Sequence, residues 1–188
     1  MASKKDNIIF LAMRLIKEKG FLSLSYDDIS KELGITKAAV HYYFERKEDL
    51  GVAVCEKLEA GLLESYERTL NQMTDHQGEP WYFIESRIDT IRPNEICPIS
   101  SLQGDYEDLP ESMKNILEEI SKNEMELWAS LVRQYSPNLD NDDIARTILL
   151  SVKGALQYRR VLDGRAFENM MSSIQTQFYR SLSSEGGS

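Results

Sequence analysis

The chain is poor in the residues that usually carry chemistry. Its two cysteines, Cys55 and Cys97, form no CxxC pair and join no His/Cys cluster, which argues against a disulfide framework and a zinc site. Both read as small buried hydrophobes. There are two histidines, His41 and His76, and no GxSxG, P-loop or HExxH motif. The acids Asp140, Asp142 and Asp143 lack the register of a calcium loop and read as a helix cap. An enzyme is therefore not expected, and neither is a cofactor or a metal. No apolar run approaches the roughly 18–20 residues of a membrane span. The start, Met1 to Asp6, leads into an amphipathic stretch broken by Arg14 and Lys17, unlike a signal peptide. A cytoplasmic protein with no membrane partner is expected. Period-2 alternation and Asn-Gly or Asp-Gly turns are missing as well, which removes the signals of a sheet.

What remains is helical. Apolar residues recur at three- and four-residue spacing along nearly the whole chain, enough for about eight or nine helices and an all-α fold. Ile8, Leu11, Ala12, Leu15 and Ile16 share one face of a first helix that stops at Gly20. Ser25 and Asp28 cap a short second helix, Gly34 ends it, and Thr36 caps a third. A long helix runs from Lys47 to about Thr74. Pro80 starts another that carries Trp81, Ile84, Ile88 and Ile91 until Pro93. A short helix is expected at Ser100–Gln103, a long one from about Pro110 to Tyr135, one capped by Asp140, and a last one after Gly164. The tail from Ser183 to Ser188 reads as disordered.

The net charge of −9 is unevenly placed. Residues through Lys57 hold ten Lys/Arg and nine Asp/Glu, and the rest of the chain holds twelve and twenty-two. The acidity thus belongs to the C-terminal part. An N-terminal surface that is locally near neutral stays compatible with a polyanion, because docking responds to the local field.

The stretch Ser25–Phe44 carries the functional signal. Two short helices joined by a tight turn at Gly34, with Ser30 small at the crossing and Ile29, Leu33, Ile35 and Val40 as apolar anchors, satisfy a helix-turn-helix. Such a unit places the N-terminal part of its second helix in the DNA major groove. On that helix Lys37 can donate to guanine O6 and N7. The Ala38 and Ala39 methyl groups can pack on thymine methyls, and His41 can donate or accept at a base edge or phosphate. Thr36, Tyr42, Tyr43 and Lys47 are placed for phosphates. The competing reading of the same stretch is a plain helical hairpin, with Tyr42 and Tyr43 as half-buried packing residues.

Gly20-Phe21 followed by DDISKELGITKAAVHYYFERKEDL resembles the N-terminal domain of the TetR/AcrR family of regulators. The likeness covers about Lys5 to Lys57. It implies a three-helix DNA-binding domain at 1–50 and a helical effector-binding and dimerisation domain at 51–182, entered through a linking helix. Carried over by position, base reading falls on Lys37, Ala38, Ala39 and His41, and backbone contacts on Thr36, Tyr42, Tyr43 and Lys47. The chain departs from the family pattern at Asp27, where Arg is frequent, at Ala38, where Gly is common, and at His41, where Tyr is usual.

The resemblance implies a bacterial repressor that binds a palindromic operator in double-stranded DNA as a homodimer and is released by a small-molecule effector. The alternative it allows is a DNA-bound adaptor that acts through a protein partner without an effector. Effector contacts are expected among Trp81, Phe83, Arg87, Cys97, Leu102, Trp128, Leu131 and Tyr158. The dimer interface is expected at Ile148, Val152, Ala155, Phe167, Met171, Ile174 and Phe178, where Gly154 and Ala155 permit close helix approach. That stripe can instead pack within one chain.

Overall fold

A computed structural model describes residues 3–75, 78–137 and 142–183. Among these the chain forms nine α-helices and no strand, the all-α class expected from the apolar spacing. They are α1 (Lys4–Lys19), α2 (Tyr26–Leu33), α3 (Lys37–Tyr43), α4 (Lys47–Thr74), α5 (Trp81–Ile88), α6 (Pro98–Gly104), α7 (Glu111–Tyr135), α8 (Asp142–Tyr158) and α9 (Gly164–Ser183), with a single 3-10 turn at Tyr106–Asp108. His76, Asp140 and residues 184–188 lie outside the described residues. None of the described helices is long and apolar enough to cross a membrane.

Side chains set most N-terminal boundaries. Ser3 and Ser25 open α1 and α2 through reciprocal capping boxes with Asp6 and Asp28. The Asp28 carboxyl is held down at about 2, chiefly by its hydrogen bond from Lys19 and then by that from Ser25. Gly34 ends α2 in the left-handed region at φ 63°, which Gly adopts without the cost a Cβ imposes. Two elements differ from expectation. α5 stops at Ile88, and the chain tightens through i→i+3 bonds from Thr90 to Arg87 and from Ile91 to Ile88. Arg92 precedes Pro93 and is thereby pushed away from the helical region, so the helix has no room to continue. α6 starts at Pro98 instead of Ser100, because a proline at the first helical position arrives with its φ already set.

The chain divides into two compact units. The first holds residues through Gly61 together with Cys97–Ser121; the second holds Leu62–Ile96 and everything from Lys122 on. Packing therefore groups residues differently from the linear division at residue 50.

In the first unit, α1 packs on both α2 and α6, and α2 packs on α3. Ile8, Ile16, Ile29, Val40, Leu50, Ile99, Leu102 and Met113 are fully buried there. Polar clasps join residues remote in sequence. Buried Ser101 donates its hydroxyl to the Ile16 carbonyl at 2.7 Å, in the last turn of α1, as a second donor beside the Gly20 N–H at 3.0 Å. The Asp105 carboxylate accepts from the backbone N–H of Phe21 at 2.7 Å and of Leu22 at 3.2 Å. Ser112 donates to Glu48. The first turns of α4 come so close to their neighbours that a Cβ on Gly51 would strike the Met113 sulfur and stand 2.8 Å from the Phe21 ring.

The second unit is organised by aromatic rings. Trp128 lies 6.1 Å from Phe83 and 5.4 Å from Phe178, and Phe178 lies 5.8 Å from Trp81. The buried Trp128 indole N–H donates to the Ala145 carbonyl at 2.8 Å, so the ring is buried without an orphaned donor. Glu124 is buried but meets Arg87 at 3.2 Å and Lys153 at 2.5 Å, the compensation a buried carboxylate requires. α8 and α9 pack as a pair.

Replacing Asp105 by Ala leaves the Phe21 and Leu22 N–H groups without their acceptor. The expected loss is about 1–3 kcal/mol of stability, measured by urea denaturation, with faster hydrogen exchange at those two amides. Unchanged exchange at both would show that the carboxylate does not hold this turn.

Candidate nucleic-acid interface

The helix-turn-helix is built from local chemistry. α2 is closed by Gly34, and Ile35 N–H reaches back to the Ser30 carbonyl at 3.0 Å. Thr36 then opens α3 by accepting from Ala39 N–H at 3.1 Å. Val40, fully buried, is the inward anchor of α3. Its far end is fixed by Tyr26, whose hydroxyl donates to the Phe44 carbonyl at 2.9 Å. Burial, and then the charge of Asp49, pushes that phenol up to about 12, so it stays a donor at any physiological pH.

With Val40 inward, most of the residues expected to read bases fall on the open face of α3. Thr36, Lys37, Ala38 and His41 are exposed and Ala39 is half-buried. His41 sets its ring edge-on to Tyr26 at 4.7 Å. Its Nδ1 lies 3.2 Å from the Glu45 carbonyl. A carbonyl can only accept, so Nδ1 carries the proton. In the neutral ring Nε2 is then an acceptor, suited to the amino group of adenine or cytosine. Tyr42 is 83% exposed, and its ring meets Tyr43 edge-on at 5.1 Å. The hairpin alternative, with both tyrosines half-buried, fits Tyr43 but not Tyr42.

Three charges behave in ways the sequence did not reveal. The Lys47 ammonium turns to its own chain, donating to the Leu22 carbonyl at 2.9 Å and lying 4.7 Å from the centre of the Phe21 ring. Burial lowers its pKa. Of the residues expected to hold phosphate, it is the one whose cation is used internally. Its neighbour Arg46 is the exposed cation at the entrance to α4, paired with Glu48 at 3.1 Å and Asp49 at 2.9 Å. Asp27, noted only as a departure from the family pattern, sits on α2 with its carboxylate 3.3 Å from Lys37 Nζ.

The residues expected to contact an effector do not gather round one cavity. Cys97 and Leu102 are buried in the first unit, and the other six belong to the second. Phe83, Trp128 and Leu131 are core residues with no exposed surface. Arg87 is matched to Glu124, and Tyr158 is exposed. Trp81 alone among the eight lines a recess of about 1000 Å³ in the second unit, bordered by the end of α4, the start of α5, the end of α7 and part of α9. Of the residues expected at a dimer interface, Ile148, Val152, Ala155 and Phe178 are already buried within their own chain. Phe167, Met171 and Ile174 are half-buried. The apolar side chains left open around α8 are Leu150, Tyr158, Val161 and Leu162.

Residues 8–54 match the model of the family described as "Bacterial regulatory proteins, tetR family". The chain is 29% identical over 149 residues, 78% of each protein, to the negative transcriptional regulator IcaR of the biofilm operon icaADBC of Staphylococcus epidermidis. It is 23% identical over 194 residues to an uncharacterized HTH-type transcriptional regulator of Lactococcus lactis, covering 95% of this chain and 94% of that one. In fold it is similar to the crystal structure of a TetR transcriptional regulator from Legionella pneumophila, with a TM-score of 0.81 at 23% identity over 94% of this chain and 98% of that one. A helix-turn-helix with an open recognition face, a match to the tetR family model across that motif, and a fold shared along nearly the whole length converge: residues 8–54 carry the tetR-type DNA-binding domain, and the chain as a whole is similar to regulators of the TetR family.

Proposed function

We propose that the protein is a repressor: a homodimer that sets two α3 helices into successive major grooves of a palindromic operator and releases it when a small molecule binds the C-terminal domain. The observation that carries this reading is the open face of α3, where Thr36, Lys37, Ala38 and His41 stand exposed around a buried Val40. Half-sites about one helical turn apart, roughly 34–36 Å, suit such a dimer. The name of the staphylococcal relative, a negative regulator, supports repression over activation. DNA binding resides in residues 1–50, and effector binding and dimerisation in 51–182.

Within α3, Lys37 and His41 read base edges, the alanine methyls pack on thymine, and Thr36 and Tyr42 hold the backbone. The Thr36 hydroxyl accepts its cap bond from Ala39 and keeps its own hydrogen for a phosphate. Arg46 joins them from the start of α4. Dimerisation uses the outward side of α8 and the turn that follows it, where Leu150, Tyr158, Val161 and Leu162 stay exposed and a Cβ on Gly154 would meet nothing within 4 Å. A helix of a second copy can approach closely there. Half-buried Met171 and Ile174 on α9 keep apolar surface for the same purpose, while Phe178 serves its own core.

Selection from a random duplex pool, followed by binding at two salt concentrations, tests the reading as a whole. A palindromic sequence is expected; no enriched sequence from folded protein overturns it. On the selected operator, Lys37→Ala should weaken specific binding by about 1–3 kcal/mol and relax preference at one base position. Equal loss on every sequence would make Lys37 a phosphate contact. Asp27→Asn should have the opposite sign. It removes a carboxylate that holds the Lys37 ammonium and repels the duplex, so affinity should rise several-fold, more at low salt than at high. An unchanged or lower affinity would place Asp27 outside the DNA-facing field. Tyr158→Asp should shift sedimentation from dimer to monomer, with dissociation at least about ten-fold easier; an unchanged mass distribution would remove this side of α8 from the interface.

A further inference from the structure

The recess of about 1000 Å³ in the second unit has a one-sided chemistry. Its walls include the carboxylates of Glu79 and Glu85 and the rings of Trp81, Tyr82, Tyr135 and Tyr179, and among the described residues no lysine or arginine lines it. The groups act on one another. Tyr179 donates its hydroxyl to Glu79. Its proton is held more tightly than in a free phenol by burial first, then by that hydrogen bond and the negative charges of Glu79 and Glu85. Tyr135, itself partly buried, feels Glu79 in the same way. Two carboxylates thus share one electrostatic neighbourhood with the phenols of Tyr135 and Tyr179, and among the described residues no lysine or arginine lines the space between them. Behind the recess the wall is stiff: Trp81 packs on Phe178, and Phe178 on Trp128.

We infer that this recess binds a lipophilic organic cation, with its positive charge set against Glu79 and Glu85 and its apolar arms against the aromatic rings. The electrostatics select the class. An anion entering here meets two negative charges, and no described lysine or arginine lines the recess to offset them. A neutral apolar molecule leaves both carboxylates uncompensated as water is displaced. A diffuse cation gains from both, because carboxylates attract it and ring faces carry the negative end of the aromatic quadrupole. The volume falls at the upper end of the range for small-molecule sites, which suits a bulky ligand better than a metal ion or ammonium. This assignment rests on the effector-responsive reading proposed above and gives that effector its chemical class.

The test compares two probes of nearly equal size and shape and opposite charge, tetraphenylphosphonium and tetraphenylborate, titrated into the full-length protein by calorimetry. The phosphonium should bind at least about ten-fold more tightly than the borate. Glu85→Gln, an isosteric change on an exposed side chain, should weaken the phosphonium by about ten-fold, and adding Glu79→Gln should weaken it further. If Glu79→Gln perturbs the fold, as judged by its melting temperature, Glu85→Gln decides alone. Equal binding of the two probes, phosphonium affinity unmoved by Glu85→Gln, or no phosphonium binding up to about 1 mM would each overturn the assignment. Phosphonium added to the complex with the selected operator separates the two claims. Charge-selective binding without DNA release keeps the site and removes its role as effector pocket. Release by some other ligand, with no phosphonium binding, does the reverse.

Discussion

A helix of seven residues does not stand by itself in water, so the recognition surface of this protein depends on what holds α3 at its two ends. At the start, Gly34 turns the chain through the left-handed region and Thr36 closes the first turn with its side chain. At the end, the Tyr26 hydroxyl, carried on the preceding helix, takes the Phe44 carbonyl. Between them Val40 is buried completely. These contacts fix the rotation of α3 about its axis, and that rotation decides which side chains a duplex would meet. The same Tyr26 ring stands edge-on to His41, so one residue of α2 sets both the end of the recognition helix and the posture of one of its reading side chains.

Charge follows a similar logic of local placement over totals. A chain with a net charge of −9 presents a nearly neutral N-terminal segment, and even there several of the cations are engaged. Lys47 is drawn under the turn after α1, Arg46 is clasped by Glu48 and Asp49, and Lys37 is shared with Asp27. DNA contact by such a surface exchanges intramolecular ion pairs for phosphate and base contacts, which restrains non-specific affinity. In the second unit Glu124 is buried against two cations, whereas Glu79 and Glu85 border open space with aromatic company. The first arrangement completes a core. The second leaves a negative field to be answered from outside.

Aromatic residues show how one residue type divides between these roles. Phe178 lies at an apolar position of an amphipathic helix, the pattern that also marks a dimer surface. Its ring is instead closed in between Trp81 and Trp128, and the apolar side chains left open to solvent stand on and just after α8. Trp128 and Phe83, plausible as ligand contacts by size alone, are the stacked centre of the unit. Tyr135 and Tyr179 lack such cover and turn toward the recess.

Everything that neighbours along the chain can settle was legible in the sequence. The all-α class, the stops and caps at Ser25, Gly34 and Thr36, the pairing of two short helices into a helix-turn-helix and the outward face of α3 all follow from interactions spanning three or four residues. The end of α5 and the start of α6 escaped because prolines acted a few residues away from the apolar pattern used to draw them. Contacts between distant residues were decided only by the tertiary structure. Ser101 on the Ile16 carbonyl and Asp105 on the Phe21 and Leu22 amides join positions more than eighty residues apart, and they gather Cys97–Ser121 with the N-terminal helices. Periodicity shows that a side chain lies on an apolar face, but it does not name the partner that covers it. For that reason the inward turn of Lys47, the enclosure of Phe178 and the acidic, aromatic recess had no signature in the sequence.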